Sequence, residues 1–404
     1  MEQLNLIIDT YQRIILESES KLAKVKQRIY RIGTLRLILF AAGIAGIIYF
    51  WDEGRLVIGG IAAITFIPFI LLVKLHNRLF HQKDYLEKKI EINRQELQAL
   101  TYDTSAFDNG EEFINPSHLY TYDLDVFGEH SLFQYINRTA TQPGKKRLAE
   151  WMNMHLKSKA EIEKRQEAVR ELAPELEMRQ HFRVLGLLHK GKTADEEEIR
   201  NWASSPEYYR KKWYFRTLAI LIPTANAVCI GLAIAEIISF TTWGIVFASI
   251  GLFSSSFSKG ISRMQSVYGK KMLILTTYAR LIHIIEEKKM RCIALKEIKE
   301  LVGGEKQTAS QAVKRLTELM NALDQRNNML MQFVLNGLFF WELRQVMKIE
   351  AWKENYAAHL PDWLEAIGEM DAYCSLACFA YNHPGYVFPE IASKPFCVEA
   401  EALG

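Results

Sequence analysis

The hydrophobic positions of this chain are concentrated in four runs that contain no charged side chain. The runs are Leu37–Trp51, Leu56–Val73, Thr217–Ala235 and Ile237–Ser258. A helix needs about 20 apolar residues, and at least about 17, to cross the hydrocarbon core of a bilayer. The last two runs reach that length, and the second is near its lower limit. The first reaches it when Gly33 and Thr34 extend it past Arg36, whose long side chain can reach the headgroups. We therefore expect four membrane-spanning helices; the alternative is four buried helices of a large soluble core.

The four runs form two pairs, and a short polar turn joins the members of each pair. Asp52–Arg55 separates the first pair, and Glu236 separates the second. Basic residues lie on the outer flanks of both pairs: Lys21, Lys24, Lys26, Arg28, Arg31, Arg36, Lys74, Arg78 and Lys83 around the first, and Arg210, Lys211, Lys212, Arg216, Lys259, Arg263, Lys270 and Lys271 around the second. Positively charged flanks stay on the cytoplasmic side of a membrane. The pattern predicts an integral protein of the cytoplasmic membrane, in contact with membrane lipid, with both chain ends and the middle segment in the cytoplasm.

The helices that flank the first pair carry a heptad pattern. Apolar residues recur at steps of three, four and seven: Leu4, Ile8, Tyr11, Ile15, Leu22, Val25, Ile29 and Ile32, and then Leu75, Leu79, Leu86, Ile90, Leu97 and Leu100. This spacing is typical of coiled coils. Residues 1–102 are expected to form an antiparallel two-stranded coiled coil with a transmembrane hairpin (about 34–75) at its tip. The alternative is that each helix packs on another part of the protein.

The remaining polar segments are mostly helical in pattern. Residues 103–118 contain Asn109-Gly110 and Pro116 and are predicted to be a linker. Helices are predicted from Ser131 to about Leu156 and over Lys159–Leu172, Met178–Leu188, Asp195–Ala203, Met272–Leu301, Ala309–Ala358 and Asp362–Tyr381. Only the tail, Tyr386–Val398, is predicted to be extended. The expected fold class is therefore all-α, with long helices, a coiled coil and two transmembrane helical hairpins.

Composition is consistent with this division into two kinds of segment. The 404 residues have a formal net charge of +3 and a mean hydropathy of -0.06. Both values average apolar runs with highly charged helices, so they neither require nor exclude a nucleic-acid partner. The five cysteines are too few for a secreted scaffold held by disulfides.

The chain lacks the common motifs of catalysis. No G-x-x-x-x-G-K-[ST] phosphate loop occurs, and Gly303–Lys306 is only a turn that contains glycine. Cys374 and Cys378 lie on one helix face before His383, but zinc sites generally need four ligands, and packed thiols are the simpler interpretation. The acidic run Glu196–Glu198 is typical of a helix start. The sequence predicts no catalytic, metal or cofactor residue, and the lack of ionisable residues inside the runs argues against a transporter.

A turn and a short helix near residue 140 follow from local rules. Thr141-Gln142-Pro143-Gly144 is a turn sequence. Thr139 or Thr141 is expected to cap a helix that begins at Lys145. Leu148, Trp151 and Met152 are then expected to form one buried face.

Three separated segments resemble the MutS family of DNA mismatch-repair proteins. The matching residues are Ser131, Leu132, Phe133, Asn137, Arg138, Thr139, Thr141, Gly144, Leu148 and Trp151 at the start of the family's core (lever) domain, Arg165 within Ile162–Val169 in its next helix, and Gly368–Ala372 with Asp371, Ala380, Tyr381, Pro389 and Pro395 at its far end. The resemblance covers about 120–200 and 265–404. It implies that these residues build a helical scaffold rather than perform chemistry.

The resemblance also implies a domain order. The core domain is expected over residues 119–210 and, with the lever helices, over 261–385. The second membrane hairpin, 211–260, replaces the family's DNA clamp. Residues 386–404 are expected to lead into an ATPase domain after Gly404, and the chain is expected to be a fragment.

The family further implies partners and cofactors. ATP and Mg²⁺ are expected for the ATPase domain that is missing here, together with a homodimer, DNA and repair-pathway proteins as partners. Lys145, Lys146 and Arg147 are candidate phosphate contacts, although a solvated helix face is the alternative. Phe127-Gly128-Glu129 matches the family's Phe-x-Glu mismatch-reading motif in letters only. The expected function is a membrane-anchored lever that couples an ATPase to the membrane or to DNA; the alternative is a non-enzymatic membrane scaffold that recruits partners through its coiled coil.

Overall fold

The computed structural model describes residues 2–189, 193–268, 272–303, 308–324, 329–392 and 398–400. The α-helices are α1 (Glu2–Tyr49), α2 (Arg55–Ala99), α3 (Leu132–Ile136), α4 (Gln142–Asn153), α5 (Lys159–Leu172), α6 (Leu176–Leu188), α7 (Thr193–Ser204), α8 (Trp213–Ile234), α9 (Phe240–Tyr268), α10 (Met272–Glu287), α11 (Ile293–Leu301), α12 (Ala309–Asp324), α13 (Met329–Phe339), α14 (Trp341–Tyr356) and α15 (Leu360–Asn382), with short 3₁₀ turns at Glu111–Phe113 and Ala357–His359. No strand occurs within these ranges. The prediction of an all-α fold is confirmed.

The chain divides into two compact units. The first contains Met1–Asn137, Arg179–Leu188 and Cys378–Gly404, and the second contains Arg138–Met178 and His189–Ala377. The division at Asn137 differs from the boundary that the polar sequence 103–118 indicated. That segment belongs to the first unit and is tied to it by two hydrogen bonds: Gln134 Nε2 donates to the carbonyl of Phe107 at 3.1 Å, and Asn137 Nδ2 donates to the carbonyl of Asp108 at 3.1 Å.

In the first unit, α1 and α2 lie antiparallel along their length. Lys26 pairs with Glu87 at 2.9 Å, and Arg94 pairs with Glu19 at 2.5 Å. Farther along, Gly43 lies against the side chain of Thr65. A small core lies between these contacts, formed by Leu22, Val25, Ile29, Ile32, Leu79 and Leu86. The heptad positions thus pack against each other, and the tip of this hairpin is a turn around residues 50–54.

A buried polar chain closes the base of the same unit. The hydroxyl of Tyr11 donates to Asn382 Oδ1 at 2.7 Å, and Asn382 Nδ2 donates to Glu96 Oε2 at 2.9 Å. Arg183 completes the chain through an ion pair with Glu96. Burial is the main reason why the pKa of Tyr11 lies well above its ordinary value, so its hydroxyl keeps its proton and donates.

Two helices that were predicted to be continuous are interrupted in the structure. The stretch from Ser131 to Leu156 breaks at 137–141, because the N–H groups of Ala140 and Thr141 bond to Asp371 instead of to a preceding helical turn. The stretch Met272–Leu301 breaks at 288–292, because Glu171 accepts the N–H groups of Arg291 at 2.9 Å and Cys292 at 2.8 Å. Both predictions of continuity were wrong, and each break is a site where a distant carboxylate binds the backbone.

The long run Ala309–Ala358 is also divided, into α12, α13 and α14. Phe340 separates the last two with a φ of 52°, in the left-handed region that costs energy for a residue with a side chain. Asn336 stabilises the break, because its Oδ1 accepts the N–H of Glu342 at 3.0 Å. Residues 325–328, between α12 and α13, lie outside the described residues.

Helix α13 packs with α8 and α9. The rings of Phe247 and Phe333 meet edge to face with centroids 5.5 Å apart. Gly251 and Gly337 leave the space that these two rings occupy, since a Cβ at either position would overlap a ring. In α8, the buried Asn226 donates to the carbonyl of Gly337 at 2.9 Å. The second apolar pair therefore has a third apolar helix as a neighbour, which the sequence had not indicated.

Candidate functional site

Three helices are long and apolar enough to cross a membrane. They are α1, the part of α2 from Val57 to Ala99, and α8. Among the described residues, the fourth predicted span is represented only by the shorter apolar stretch Phe240–Ser254 of α9. At most 6% of the apolar window is buried in the first two helices, and 22% in α8. Such extensive exposed apolar surface indicates contact with lipid or with another protein.

The family residues of the second unit meet around the carboxylate of Asp371 in α15. Asp371 is 1% exposed and accepts the N–H of Ala140 at 3.0 Å and the N–H of Thr141 at 2.8 Å. The Thr141 hydroxyl also donates to it, at 2.7 Å. A buried charge is tolerated when several donors replace its water shell. Asp371 thereby fixes the start of α4 against α15.

Thr141 makes two kinds of contact: it donates to Asp371, and it is the N-cap of α4. Its Oγ1 accepts the N–H of Gly144 at 3.0 Å. The prediction of Thr141 as a cap is confirmed, but the helix begins at Gln142 rather than at Lys145. Thr139 does not serve as the cap and is buried.

Gly144 and Gly368 are required at this junction because α4 and α15 approach each other closely there. A Cβ on Gly144 would overlap the carboxylate of Asp371, and a Cβ on Gly368 would press on the carbonyl of Pro143. Both glycines have ordinary helical backbone, so the requirement comes from packing and not from an unusual φ. A larger side chain at either position would separate α4 from α15.

A second layer of contacts joins the C-terminal part of α4 to α15. The rings of Trp151 and Tyr373 meet edge to face at 4.7 Å, and the Arg165 guanidinium lies 4.1 Å above the Trp151 ring. Burial raises the pKa of Tyr373 to about 12 and lowers the pKa of Arg165. Tyr373 therefore stays neutral at every physiological pH, and the layer is held by a cation–π contact and a hydrogen bond.

The other family residues of the motif are scaffold. Arg138 is buried and its N–H donates to Ser375 Oγ at 2.8 Å. Leu148 is buried, whereas Trp151 and Met152 are only partly buried. Asn137 bonds to Asp108 in the first unit. The expectation of a fully buried face at Leu148, Trp151 and Met152 therefore holds for Leu148 alone.

The three candidate phosphate contacts lie in different surroundings. Lys145 is 4% exposed, because it lies on the same side of α4 as Leu148 and Ala149, so it belongs neither to a solvated face nor to an open anion site. Lys146 is partly exposed with its ammonium 3.7 Å from Glu196. Arg147 donates to Glu150 at 3.2 Å and Glu365 at 2.7 Å. A shallow groove of about 180 Å³ beside these residues has a mixed charge. Phosphate contacts here stay a prediction, which the burial of Lys145 disfavours.

Sequence reasoning missed a second carboxylate that binds backbone. Glu350 in α14 is 4% exposed and accepts three successive N–H groups, those of Tyr208 at 2.9 Å, Tyr209 at 3.1 Å and Arg210 at 2.6 Å. One turn later, the Lys353 ammonium donates to the carbonyl of Ser205 at 2.7 Å and to its hydroxyl at 2.8 Å. These contacts fix the segment that leads into α8.

A signal for this clamp was present in the heptad spacing. Leu343, Val346, Glu350 and Lys353 follow each other at steps of three and four, so two charged residues occupy positions of an apolar stripe. Charged side chains at such positions are rarely buried unless they are paired. Their presence indicated a buried polar contact, although not its partner.

The cysteine pair of α15 gives no evidence of a metal site. Cys374 and Cys378 are buried, and neither forms a disulfide bond. Both ring nitrogens of His383 already have hydrogen-bond partners in the first unit. Its Nε2 lies 2.7 Å from the Tyr135 hydroxyl, and its Nδ1 lies 2.8 Å from the Phe379 carbonyl. Across the ranges that the structure describes, no group of three or more His, Cys, Asp or Glu residues could hold a metal ion. Gly304–Lys306 and Pro395 lie outside those ranges.

The second unit is a helical domain in which the buried carboxylate of Asp371 holds the start of α4 against α15, and comparison with known families identifies it. The family described as MutS domain III matches residues 117–377. The chain therefore belongs to the MutS family. No curated protein matches the chain, and neither does any solved structure.

Proposed function

We propose that this chain is the lever part of a MutS-family protein that is anchored in a membrane and couples an ATPase domain to that anchor. One observation carries the proposal: α8 has the length and composition of a membrane span and lies inside the residues that match MutS domain III. An anchor within the lever domain would move with the lever helices.

The contacts of α14 support such coupling. Glu350 and Lys353 bind the segment that precedes α8, so α14 and the entry of α8 are joined by five hydrogen bonds. One partner in each of these bonds is a buried side chain. A displacement of α14 would therefore move the start of α8 by nearly the same distance. The Asp371 junction would do the same for α4 and α15.

The anchor is tested by extraction of isolated membranes with alkaline carbonate. We expect the full chain to stay in the membrane pellet, because spanning helices resist a treatment that removes peripheral proteins. A matched pair of variants sharpens the test. Ile220→Asp places a charge in the middle of α8, where it costs about 2.5–3.5 kcal/mol of insertion, and Leu119→Asp places one on an exposed apolar residue of the first unit. Release of the wild-type chain would contradict the proposal.

The ATPase part is tested on the gene and on the protein that it encodes. We expect the coding sequence downstream of Gly404 to contain a glycine-rich phosphate loop with Lys-Ser or Lys-Thr, and the encoded protein to hydrolyse ATP with Mg²⁺ as a dimer. A stop codon at that point would favour the alternative of a membrane scaffold. That alternative draws some support from exposed apolar residues on α1 outside the apolar run, such as Leu6 and Leu16.

DNA binding is part of the proposal only because the chain belongs to the MutS family. Lys146 and Arg147, the partly exposed cations of α4, are already paired with carboxylates, so we expect weak binding of duplex or mismatched oligonucleotides with a shallow dependence on salt. Tight binding that falls steeply with salt would contradict this view of the α4 surface.

A further inference from the structure

We propose that the segment at the start of α8 binds the phosphate of an anionic phospholipid through Lys211, Lys212 and Arg216. The inference rests on the proposed function, because it needs α8 at a membrane. It goes further by naming a ligand and the residues that select it.

These three cations are not neutralised by the protein. Lys211 and Arg216 are exposed, and Lys212 is partly exposed. In the described part of the chain, the neighbouring Arg210 pairs with Glu354, whereas no carboxylate pairs with the other three. The Nε of Arg216 donates to the carbonyl of Arg210 at 2.9 Å, which orients the guanidinium and leaves its two terminal nitrogens open.

Aromatic rings hold the central cation in place. The Lys212 ammonium lies 3.7 Å from the centre of the Tyr208 ring and 5.9 Å from that of Tyr214. Cation–π contacts of this kind orient an ammonium without removing its charge. Trp213 is 75% exposed, and exposed Trp and Tyr rings are typical of the headgroup level of a bilayer.

The segment itself is fixed. Glu350 binds the N–H groups of Tyr208, Tyr209 and Arg210, and Lys353 binds Ser205. The backbone that presents the cations is therefore ordered before any ligand arrives, which lowers the entropy cost of binding.

The arrangement along α8 matches the shape of a lipid. Lys212, Arg216 and Ile220 follow each other at steps of four and lie on one face. Ile220 is 69% exposed, and Leu221 beside it is exposed as well. A phosphate bound by Lys212 and Arg216, with Lys211 next to them in the chain, would have its acyl chains against this apolar surface. Inorganic phosphate would contact only the cations, and DNA would leave Ile220 in water. A phospholipid would contact both the cations and the apolar residues of this face.

The test is native mass spectrometry of the purified full chain in detergent micelles titrated with phosphatidylglycerol or with phosphatidylcholine of the same acyl chains. We expect a clear preference for phosphatidylglycerol. The triple variant Lys211→Gln, Lys212→Gln, Arg216→Gln should bind it on the order of 100-fold more weakly, because each cation near an anionic surface contributes about a factor of five.

The matched control is Lys296→Gln, Lys314→Gln, Arg315→Gln. It removes the same charge from exposed positions of α11 and α12 and should leave lipid binding unchanged. An equal loss in both triple variants would overturn the proposal, because it would show a response to net charge alone. Equal retention of the two lipids by the wild-type chain would overturn it as well.

Two further arms separate the sources of phosphate. Excess inorganic phosphate should not displace phosphatidylglycerol; displacement would mean a free-phosphate site and overturn the lipid assignment. If the first triple variant lost duplex DNA binding while keeping its lipid preference, the cations would belong to a DNA surface. Carbonate extraction distinguishes the two levels of inference: a chain that stays in the membrane but shows no lipid preference defeats only this proposal.

Discussion

Two buried carboxylates hold backbone in the second unit, and only one of them belongs to a family motif. Asp371 binds the N–H groups that precede α4, and Glu350 binds the N–H groups that precede α8. Both act over long sequence separations, 230 residues from Asp371 to Thr141 and 142 from Glu350 to Tyr208. Asp371 fixes the helical core of the domain, whereas Glu350 fixes the entry of an apolar helix. The same kind of contact thus holds the helical core in one place and the entry of an apolar helix in the other.

The largest effect is expected for Asp371→Asn. Its amide nitrogen would face the N–H groups of Ala140 and Thr141, and stranded buried donors cost about 1–3 kcal/mol each. We expect a loss of about 3 kcal/mol, measured as a lower thermal midpoint of the detergent-solubilised chain. Asp362→Asn on the same helix, where the carboxylate is partly exposed, is the control and should change little. Equal midpoints for the two variants would show that Asp371 is not a structural clamp.

Gly144→Ala tests the close approach at the same junction. The new methyl group would overlap Asp371, and overpacking of this kind costs about 1–3 kcal/mol. Gly231→Ala in α8 is the matched control, since nothing lies within 4 Å of its Cβ. We expect a lower thermal midpoint for the first variant only; a neutral Gly144→Ala would mean that α4 and α15 adapt to each other.

Glu350→Gln should have a smaller and more local effect. Gln keeps one acceptor oxygen and places an NH₂ group against one of the three N–H donors, so we expect a loss of about 1–2 kcal/mol. Hydrogen exchange of the amides of Tyr208, Tyr209 and Arg210 should become faster. Glu354→Gln, which removes an exposed ion pair on the same helix, should leave their exchange almost unchanged. If it accelerates exchange equally, Glu350 has no special role.

The smallest effect is expected for Glu171→Gln, and it depends on pH. Burial alone would raise the pKa of Glu171, but the N–H groups of Cys292 and Arg291 bring it below the ordinary 4.5. A lowered folded-state pKa means that the carboxylate stabilises the fold above the unfolded-state value and loses this effect as pH falls through the folded-state value. The wild-type chain should therefore be more stable than the variant at pH 7. The difference should shrink below about pH 4.5; a constant difference across this range would contradict the assignment.

The helices themselves were largely predictable. Apolar runs and heptad spacing are local properties, and they located α1, α2, α8 and most helices of the core domain. The Thr141 cap also follows from local chemistry, because its partner Gly144 is only three residues away. The family residues could be identified as a scaffold before their contacts were known.

The interruptions and the burial of single residues were not predictable in the same way. Lys145 had the sequence character of an exposed cation, but the packing of α4 buries it beside Leu148. The apolar spacing predicts α13 as one helix with its neighbours. In the structure, Asn336 marks its end, and the contacts with Phe247 and Asn226 show what it packs against.

The sequence by itself determined which segments are helical, which of them are apolar enough to cross a membrane, and which family the core resembles. The tertiary structure decided where the helices break and which polar groups are buried. The physical reason is range: periodicity and capping depend on neighbours within a turn or two, whereas Asp371, Glu350 and Glu171 each stabilise backbone that is more than 100 residues distant.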